Sequence, residues 1–218
     1  MRPMRVALTF DAEHPDRPGS DAATLDRILD ALEGAAARST FFLQGRWAQA
    51  HPDRARRIAG AGHLIGSHSH FHARMPLLTD EGLRADIVQA GRAIREAAGV
   101  DPKPWFRCPW GHGARDARVL MALRRQGYRH VGWDVVAEDW EPSRPGEVVA
   151  GDVLAAVRAA ADGAVVLLHI WPASAGEAVP RIVDDLRTES PEFVTVAELG
   201  DRDLGATGDP QVAADNPG

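Results

Sequence analysis

The chain has 218 residues, of which 44% are hydrophobic and 26% are charged, so its composition is that of an ordinary soluble globular protein long enough for one substantial core. The formal net charge of −6 provides no basic surface for nucleic acid or an anionic membrane. The single cysteine, Cys108, excludes an internal disulfide framework and a cysteine-based structural zinc site.

The first predicted element is a buried strand from Val6 to Phe10. Polar side chains follow it directly: Asp11, Glu13, His14 and Asp16. In parallel α/β proteins, the carboxyl ends of buried strands carry the residues that perform the chemistry. This loop is therefore the first candidate for a functional site.

The rest of the chain alternates between helical spacing and short apolar runs. Ser20 or Asp21 is expected to cap the first helix and Thr79 the third. Helices are expected at about 25–32, 47–58, 80–98, 119–123, 153–157 and 179–186. Further strands are expected at 40–43, 63–67, 105–107, 128–133, 164–168 and 193–195. After Leu199 the sequence loses its periodicity, which is typical of a disordered tail.

This alternation predicts a parallel sheet, which is either an open doubly wound sheet or a barrel. No Gly-x-Gly-x-x-Gly or Walker loop follows the first strand, which removes the main support for nucleotide binding. Polar residues instead follow several different strands, as at the rim of a barrel. We predict an irregular (β/α) barrel of about seven strands, with a catalytic domain over residues 1–199 and a tail over 200–218.

Three histidines, His68, His70 and His72, follow the third predicted strand at alternate positions. Imidazole is the commonest neutral nitrogen ligand of zinc and related divalent ions. His68 and His72 can converge on one ion if this segment is helical, because residues four apart share a helix face. The alternative is a solvated loop of surface histidines.

A catalytic divalent site needs about three protein ligands and an open position for water. Two histidines and a carboxylate from the Asp11 loop satisfy this requirement. A second carboxylate can act as general base, Arg107 can keep it ionised, and His169 can protonate a leaving group. The residues outline a metal-assisted hydrolase, although Asp11 could instead be a cap, Arg107 a structural ion pair, and His169 a core histidine.

These residues lie in segments that resemble five motifs of the polysaccharide deacetylase family, the NodB homology domain of carbohydrate esterase family 4. The family motifs are Thr-Phe-Asp-Asp-Gly, His-Ser/Thr-x-x-His, Arg-x-Pro-Tyr/Trp-Gly, a segment ending in Asp-x-Asp-Trp, and Leu-x-His. The matching segments are Thr9-Phe10-Asp11-Ala12-Glu13, His68-Ser69-His70-Phe71-His72, Arg107-Cys108-Pro109-Trp110-Gly111, Glu138-Asp139-Trp140 and Leu167-Leu168-His169. The resemblance extends from about Val6 to Leu199.

The resemblance implies a deformed (β/α) barrel that holds a zinc-type ion and hydrolyses an N- or O-acyl group. It implies that Asp11 is the base that activates water and His169 the acid that protonates the departing amine. The other implied roles are metal ligation by His68 and His72, orientation of Asp11 by Arg107, oxyanion binding by the Trp110 N–H, and tuning of His169 by Asp139.

Two positions depart from the family motifs. Ala12 replaces an aspartate that is a metal ligand in the family, and Val136 replaces the first acid of the fourth motif. We nominate Glu13 as the third ligand, with His14 and Asp16 as reserves, although a solvated Glu13 is the alternative. Asp134 would lie on the same strand face as Val136.

The expected function is removal of an N- or O-acetyl group from an acetylated sugar or polysaccharide with one divalent ion, zinc first and cobalt or nickel as alternatives. The rival functions are hydrolysis of a small amide or cyclic imide, and non-catalytic carbohydrate binding, which Ala12 and Val136 favour. Trp110, Trp140 and Trp171 could form the walls of a sugar groove, whereas Trp133 is expected in the core. Neither a nucleic acid nor a membrane is an expected partner, and the oligomeric state is not indicated. No signal peptide is visible, so the expected location is cytoplasmic, or extracellular if the sequence is trimmed.

Overall fold

A computed structural model describes residues 3–14, 22–160, 162–200 and 204 of the protein. Its strands are β1 (Arg5–Ala12), β2 (Thr40–Leu43), β3 (Leu64–Ser67), β4 (Trp105–Phe106), β5 (Arg129–His130), β6 (Val135–Val136), β7 (Ala164–His169) and β8 (Glu192–Phe193). Its helices are α1 (Ala22–Gly34), α2 (Gly45–Ala50), α3 (Pro52–Gly60), α4 (Asp80–Ala98), α5 (Ala117–Arg125), α6 (Gly146–Ala160) and α7 (Ala173–Arg187). Across these described ranges, no helix is both long and apolar enough to cross a membrane.

Seven strands follow one another in the order β5-β4-β3-β2-β1-β7-β6, and β8 pairs with the beginning of β1. Every pairing is parallel, and a helix lies in each connection between consecutive strands except the one from β5 to β6. The predicted irregular (β/α) barrel of about seven strands is confirmed. Because the strands are parallel, their carboxyl ends lie on one side of the sheet, where the candidate residues were expected.

Side chains of β1 alternate between two clusters of buried residues. Val6, Leu8, Phe10 and Ala12 belong to a helix-side cluster with the apolar faces of α1, α3, α6 and α7. Ala7 belongs instead to an interior cluster that includes Phe42, Trp105, Trp133 and Leu167. Odd-numbered residues of β1 therefore face the barrel interior, and this alternation determines which side chains reach the site.

The structure differs from the predicted elements at two places. The helix expected over 47–58 is divided into α2 and α3, because Pro52 begins α3, where its lack of an N–H is tolerated. The strand expected over 128–133 is only β5, and β6 was not predicted as a separate strand. β6 is only two residues long and closely follows β5, so the sequence pattern did not separate the two strands.

Two predicted helix caps have different outcomes. Thr79 caps α4 as expected, since its hydroxyl accepts a hydrogen bond from the Gly82 N–H at 3.1 Å. Ser20, Asp21 and Asp16 lie outside the described residues, as does the predicted tail except for residues 200 and 204.

Candidate metal and catalytic site

The candidate residues meet at the carboxyl ends of neighbouring strands. Asp11 lies opposite His169 in the pairing of β1 with β7. His68 directly follows β3, and its N–H donates to the Leu43 carbonyl at 2.8 Å, which continues the pairing with β2 by one residue. Arg107 follows β4. The side chains of these four residues are all buried.

Glu13, His68 and His72 form a compact group of possible metal ligands. One carboxylate oxygen of Glu13 lies 2.5 Å from the His72 Nε2 and 3.1 Å from the His68 Nε2. The two Nε2 atoms are 3.2 Å apart. Two imidazoles and one carboxylate match the ligand set of a catalytic zinc site, so the residues present fit a divalent cation.

The segment between the two histidines is a loop, so the prediction that a helix brings them together is wrong. Ser69 and His72 have φ values of 65° and 58°, in the left-handed region. The Ser69 hydroxyl accepts a hydrogen bond from the His72 N–H at 3.1 Å, which closes the turn. His72 returns towards His68 through this turn, while His70 lies outside the ligand group, as expected.

The hydrogen bond of the His68 ring fixes which nitrogen faces the ligand group. Its Nδ1 lies 2.9 Å from the Arg107 carbonyl oxygen, a pure acceptor, so Nδ1 carries the hydrogen. In the neutral ring this leaves the Nε2 lone pair directed at Glu13 and His72. A backbone carbonyl that orients a ligating histidine in this way is common in metal sites.

The charges in this group favour an ionised carboxylate. Burial alone would raise the pKa of Glu13, but the charge of His72 and hydrogen bonds from His14, His68 and His72 lower it well below its ordinary value. Burial lowers the pKa of His72 despite the nearby Glu13. Burial also acts to lower the pKa of His68, but the charges of Asp11 and Glu13 raise it overall.

Asp11 is held by a fully buried arginine. The Arg107 Nη1 donates to one Asp11 carboxylate oxygen at 2.9 Å, and its Nη2 donates to the Gly132 carbonyl at 3.0 Å. The guanidinium also lies over the Phe42 ring, 4.2 Å from the centroid. The other Asp11 oxygen lies 3.5 Å from the His68 Nε2, so it faces the ligand group.

His169 is oriented by Asp139 through two contacts. The His169 Nδ1 lies 2.8 Å from one Asp139 oxygen, and its backbone N–H donates to the other at 2.7 Å. Counted back from Asp139-Trp140, the first acid of the fourth motif falls at Ala137 and not at Val136 as expected, and its absence does not leave His169 without a carboxylate partner. Asp134, which was predicted to share a strand face with Val136, lies directly before β6 and accepts a hydrogen bond from the Val165 N–H at 2.9 Å.

Three half-buried tryptophans surround the site. The Trp110 ring packs edge-on against His72 at 4.1 Å between centroids, and Trp140 and Trp171 pack against His169 at 5.2 and 5.9 Å. A cleft of about 580 Å³ is lined in part by Asp139, Trp140 and Trp171, each of which contacts His169. Trp133 is buried in the interior cluster, as expected.

Two contacts of Glu13 were not expected from the sequence. The Trp171 indole N–H donates to its second carboxylate oxygen at 3.3 Å, and the His14 Nε2 lies 3.0 Å from the same oxygen. His14 thus contacts Glu13, the nominated third ligand, and is not itself part of the group of possible ligands. The orientation of Trp171 could have been predicted from its position two residues after His169 at the end of β7, because alternate residues of a strand face the same side.

Comparison with known proteins agrees with this geometry. A family model described as "Polysaccharide deacetylase" matches residues 1–131. The chain belongs to the polysaccharide deacetylase family. A chitooligosaccharide deacetylase of Rhizobium leguminosarum bv. trifolii is 34% identical over 165 residues, which cover 75% of this chain and 70% of that protein.

Solved structures of family members are also similar to this chain. A structure described as "T48 deacetylase with substrate" is similar to this chain with a TM-score of 0.76 and 32% sequence identity. The match covers 90% of this chain and 90% of that one. A Bacillus anthracis protein described as a CE4 family pseudoenzyme has a TM-score of 0.78 and 26% identity, covering 90% of this chain and 65% of that one. Since a similar fold accompanies both descriptions, activity must be argued from the residues of this chain.

Proposed function

We propose that this protein is a metal-dependent hydrolase that removes the N-acetyl group of an acetylated amino sugar or its oligosaccharide. The observation that carries the proposal is the arrangement of Asp11 and His169 around the buried ligand group of Glu13, His68 and His72. A divalent cation held by these three residues would supply Lewis acidity, which activates water and polarises the acyl carbonyl.

Asp11 is the proposed general base. Arg107 occupies one of its carboxylate oxygens and favours the ionised form, because a hydrogen-bonded positive charge stabilises the carboxylate. The second oxygen, 3.5 Å from the His68 Nε2, remains directed at the ligand group and can accept a proton from the attacking water.

His169 is the proposed general acid. Asp139 holds its Nδ1, so the ring presents Nε2 to the site, 3.9 Å from a Glu13 oxygen. This Nε2–H donates a proton to the amine nitrogen as the carbon–nitrogen bond breaks. Water adds its oxygen to the acyl carbon, Asp11 takes up one proton, and His169 gives up another, which yields acetate and the amine.

The Trp110 backbone N–H is the proposed donor to the oxyanion. Pro109–Gly111 form a single tight turn whose first internal hydrogen bond is donated by Gly111 to the Cys108 carbonyl. The Trp110 N–H precedes that bond and has no partner within the turn. The turn also places the Trp110 ring against His72, so the proposed donor belongs to a residue that contacts the ligand group.

The proposed substrate class rests on the similarity to a chitooligosaccharide deacetylase and on the half-buried tryptophans. Aromatic faces pack well against the apolar faces of pyranose rings. The cleft lined in part by Asp139, Trp140 and Trp171, all of which contact His169, is the proposed place for the sugar that carries the departing amine. An O-acetyl ester would use the same base and the same ligand group, since only the leaving atom changes.

The proposal is tested by measuring acetate release from N-acetylglucosamine oligosaccharides and ring opening of a cyclic imide. Chelation should abolish acetate release, and added zinc or cobalt should restore it. Asp11→Asn should bind zinc as the unaltered protein does but lose about 10²-fold or more in turnover, as expected for loss of a general base. The exposed variant Asp184→Asn serves as a control.

Three results would count against the proposal. Normal turnover by Asp11→Asn would remove this residue from the mechanism. Imide hydrolysis without acetate release would assign the same site to a small-molecule substrate. A protein that binds the oligosaccharide but neither zinc nor cobalt, and releases no acetate, would be a non-catalytic carbohydrate-binding relative.

A further inference from the structure

The buried face of α4 contains a carboxylate among apolar side chains. Asp86 is only 4% exposed and immediately precedes the buried Ile87. A buried carboxylate is costly unless it is hydrogen-bonded or paired. Its two oxygens accept hydrogen bonds from the His70 N–H at 2.9 Å and the Phe71 N–H at 3.1 Å.

Both N–H groups belong to the loop that joins the two proposed histidine ligands. This loop turns through left-handed residues at both ends, so its N–H groups cannot pair as they would in a regular strand or helix. Asp86 supplies acceptors for two consecutive N–H groups, each to a different oxygen. Hydrogen bonds to an ionised acceptor are stronger than neutral ones, so this contact resists opening of the loop.

The opposite side of the loop is held by the beginning of α2. The Gly45 N–H donates to the Ser69 carbonyl at 2.9 Å, and the Arg46 N–H donates to the His70 carbonyl at 3.3 Å. These are N–H groups of the first turn of a helix, which lack partners within the helix. Gly45 also lies close to the His70 ring, since a Cβ there would be 2.3 Å from Nδ1. The loop is thus fixed between α2 and α4.

We propose that Asp86 is a positioning residue for the metal site. By holding the backbone of residues 70 and 71, it keeps the Nε2 atoms of His68 and His72 directed at one point beside Glu13. This inference rests on the proposed function, because it assigns Asp86 a role in binding the cation and not only in folding. Asp86 itself is not a ligand, since both of its oxygens are used by the loop.

The test compares zinc affinity, measured by competition with a chromophoric chelator, in the unaltered protein and in Asp86→Asn. The asparagine keeps one acceptor oxygen, so one hydrogen bond can remain, while its NH₂ group faces the other N–H and replaces the second hydrogen bond with an unfavourable donor–donor contact. Mutation of a residue that holds a metal ligand in place typically lowers metal affinity by about 10- to 100-fold, and we expect the zinc affinity of Asp86→Asn to fall by a factor in this range. Hydrogen exchange over residues 68–72 of the metal-free protein should become faster.

Two substitutions on α4 separate positioning from general stability. Ile94→Ala removes a fully buried side chain of the same helix and lowers the temperature of unfolding, but should leave zinc affinity within about twofold. Asp80→Asn removes an exposed carboxylate of α4 and should change neither measurement. If Asp86→Asn does not fold, Asp86→Glu, which keeps both acceptor oxygens in a displaced position, is measured in the same two ways.

The outcomes distinguish this inference from the proposed function. Weaker zinc binding with faster exchange only in the Asp86 variants supports the positioning role. Unchanged zinc affinity in a folded, less stable Asp86 variant would reduce Asp86 to a structural residue while leaving the proposed function intact. An unaltered protein that binds neither zinc nor cobalt would overturn the proposed function and this inference with it.

Discussion

Substitution of Asp139 by asparagine should change the pH range in which the enzyme works. Burial of the His169 ring acts to lower its pKa, but the charge and hydrogen bond of Asp139, together with the charges of Glu13 and Asp11, raise the pKa to about 9. A rise from 6.5 to about 9 corresponds to about 3 kcal/mol in favour of the charged ring. Asparagine removes the charge that contributes most to this rise.

The expected size of the effect follows from the protonated fraction of His169, because the proposed acid must carry a proton. At about pH 8.5, a pKa of about 9 leaves about 75% of the rings protonated, whereas a pKa of 6.5 leaves about 1%. The ratio of kcat/KM between unaltered protein and variant should thus grow by up to about 50-fold between about pH 6 and pH 8.5. A bound cation would offset the charge of Glu13 but not the contribution of Asp139.

The raised pKa of His169 also determines how the stability of the fold depends on pH. The pKa of His169 in the folded protein lies above its ordinary value, so the charged ring stabilises the fold fully below about pH 6.5, and this contribution is lost as the pH rises through about 9. Asp139→Asn should therefore lower the free energy of unfolding most at about pH 6 and progressively less towards pH 9 and above.

The assay is acetate release from an N-acetylglucosamine oligosaccharide over a pH series, with unfolding in urea followed over the same series. The exposed variant Asp184→Asn should reproduce the profile of the unaltered protein. An Asp139→Asn profile that is lower by one constant factor at every pH would refute the electrostatic argument. It would leave Asp139 with the orientation of the ring as its only role.

Two further substitutions test the origin of the third ligand. Glu13→Gln keeps the shape of the side chain but removes its charge, and it should weaken zinc binding by more than about 100-fold. Even the loss of a residue that only holds a ligand in place lowers metal affinity by about 10- to 100-fold. A zinc affinity equal to that of the unaltered protein, measured by chelator competition, would exclude Glu13 as a ligand. Ala12→Asp restores the family residue but places a carboxylate in the helix-side cluster, so it should lower the free energy of unfolding in urea by about 3 kcal/mol or more without tightening zinc binding. Tighter zinc binding by Ala12→Asp would show that residue 12 can reach the ligand group.

Sequence patterns predicted where the candidate side chains lie better than they predicted the backbone contacts that hold those side chains in place. The polar residues that end β1 and β7 could be placed because strands alternate strictly and parallel strands end on the same side. The path of the backbone from His68 to His72 could not be predicted, because it depends on two residues with left-handed φ values, Ser69 and His72, that are not glycine. Asp86 was also missed, since its partners are backbone N–H groups 16 and 15 residues away, and such contacts leave no pattern in side-chain spacing.

The two departures from the family motifs have the same physical explanation. Pairing of β1 with β2 continues to Ala12, so alternation directs Ala12 to the helix-side cluster and the next residue, Glu13, back towards the interior. The longer glutamate side chain then reaches both histidines. Ala137, which stands at the first acid of the fourth motif, likewise lies in the helix-side cluster, while Asp139 supplies both contacts of His169. The carboxylates of Glu13 and of the retained Asp139 make the contacts with the histidines in this chain, so a departure from a motif is not by itself evidence of a lost site.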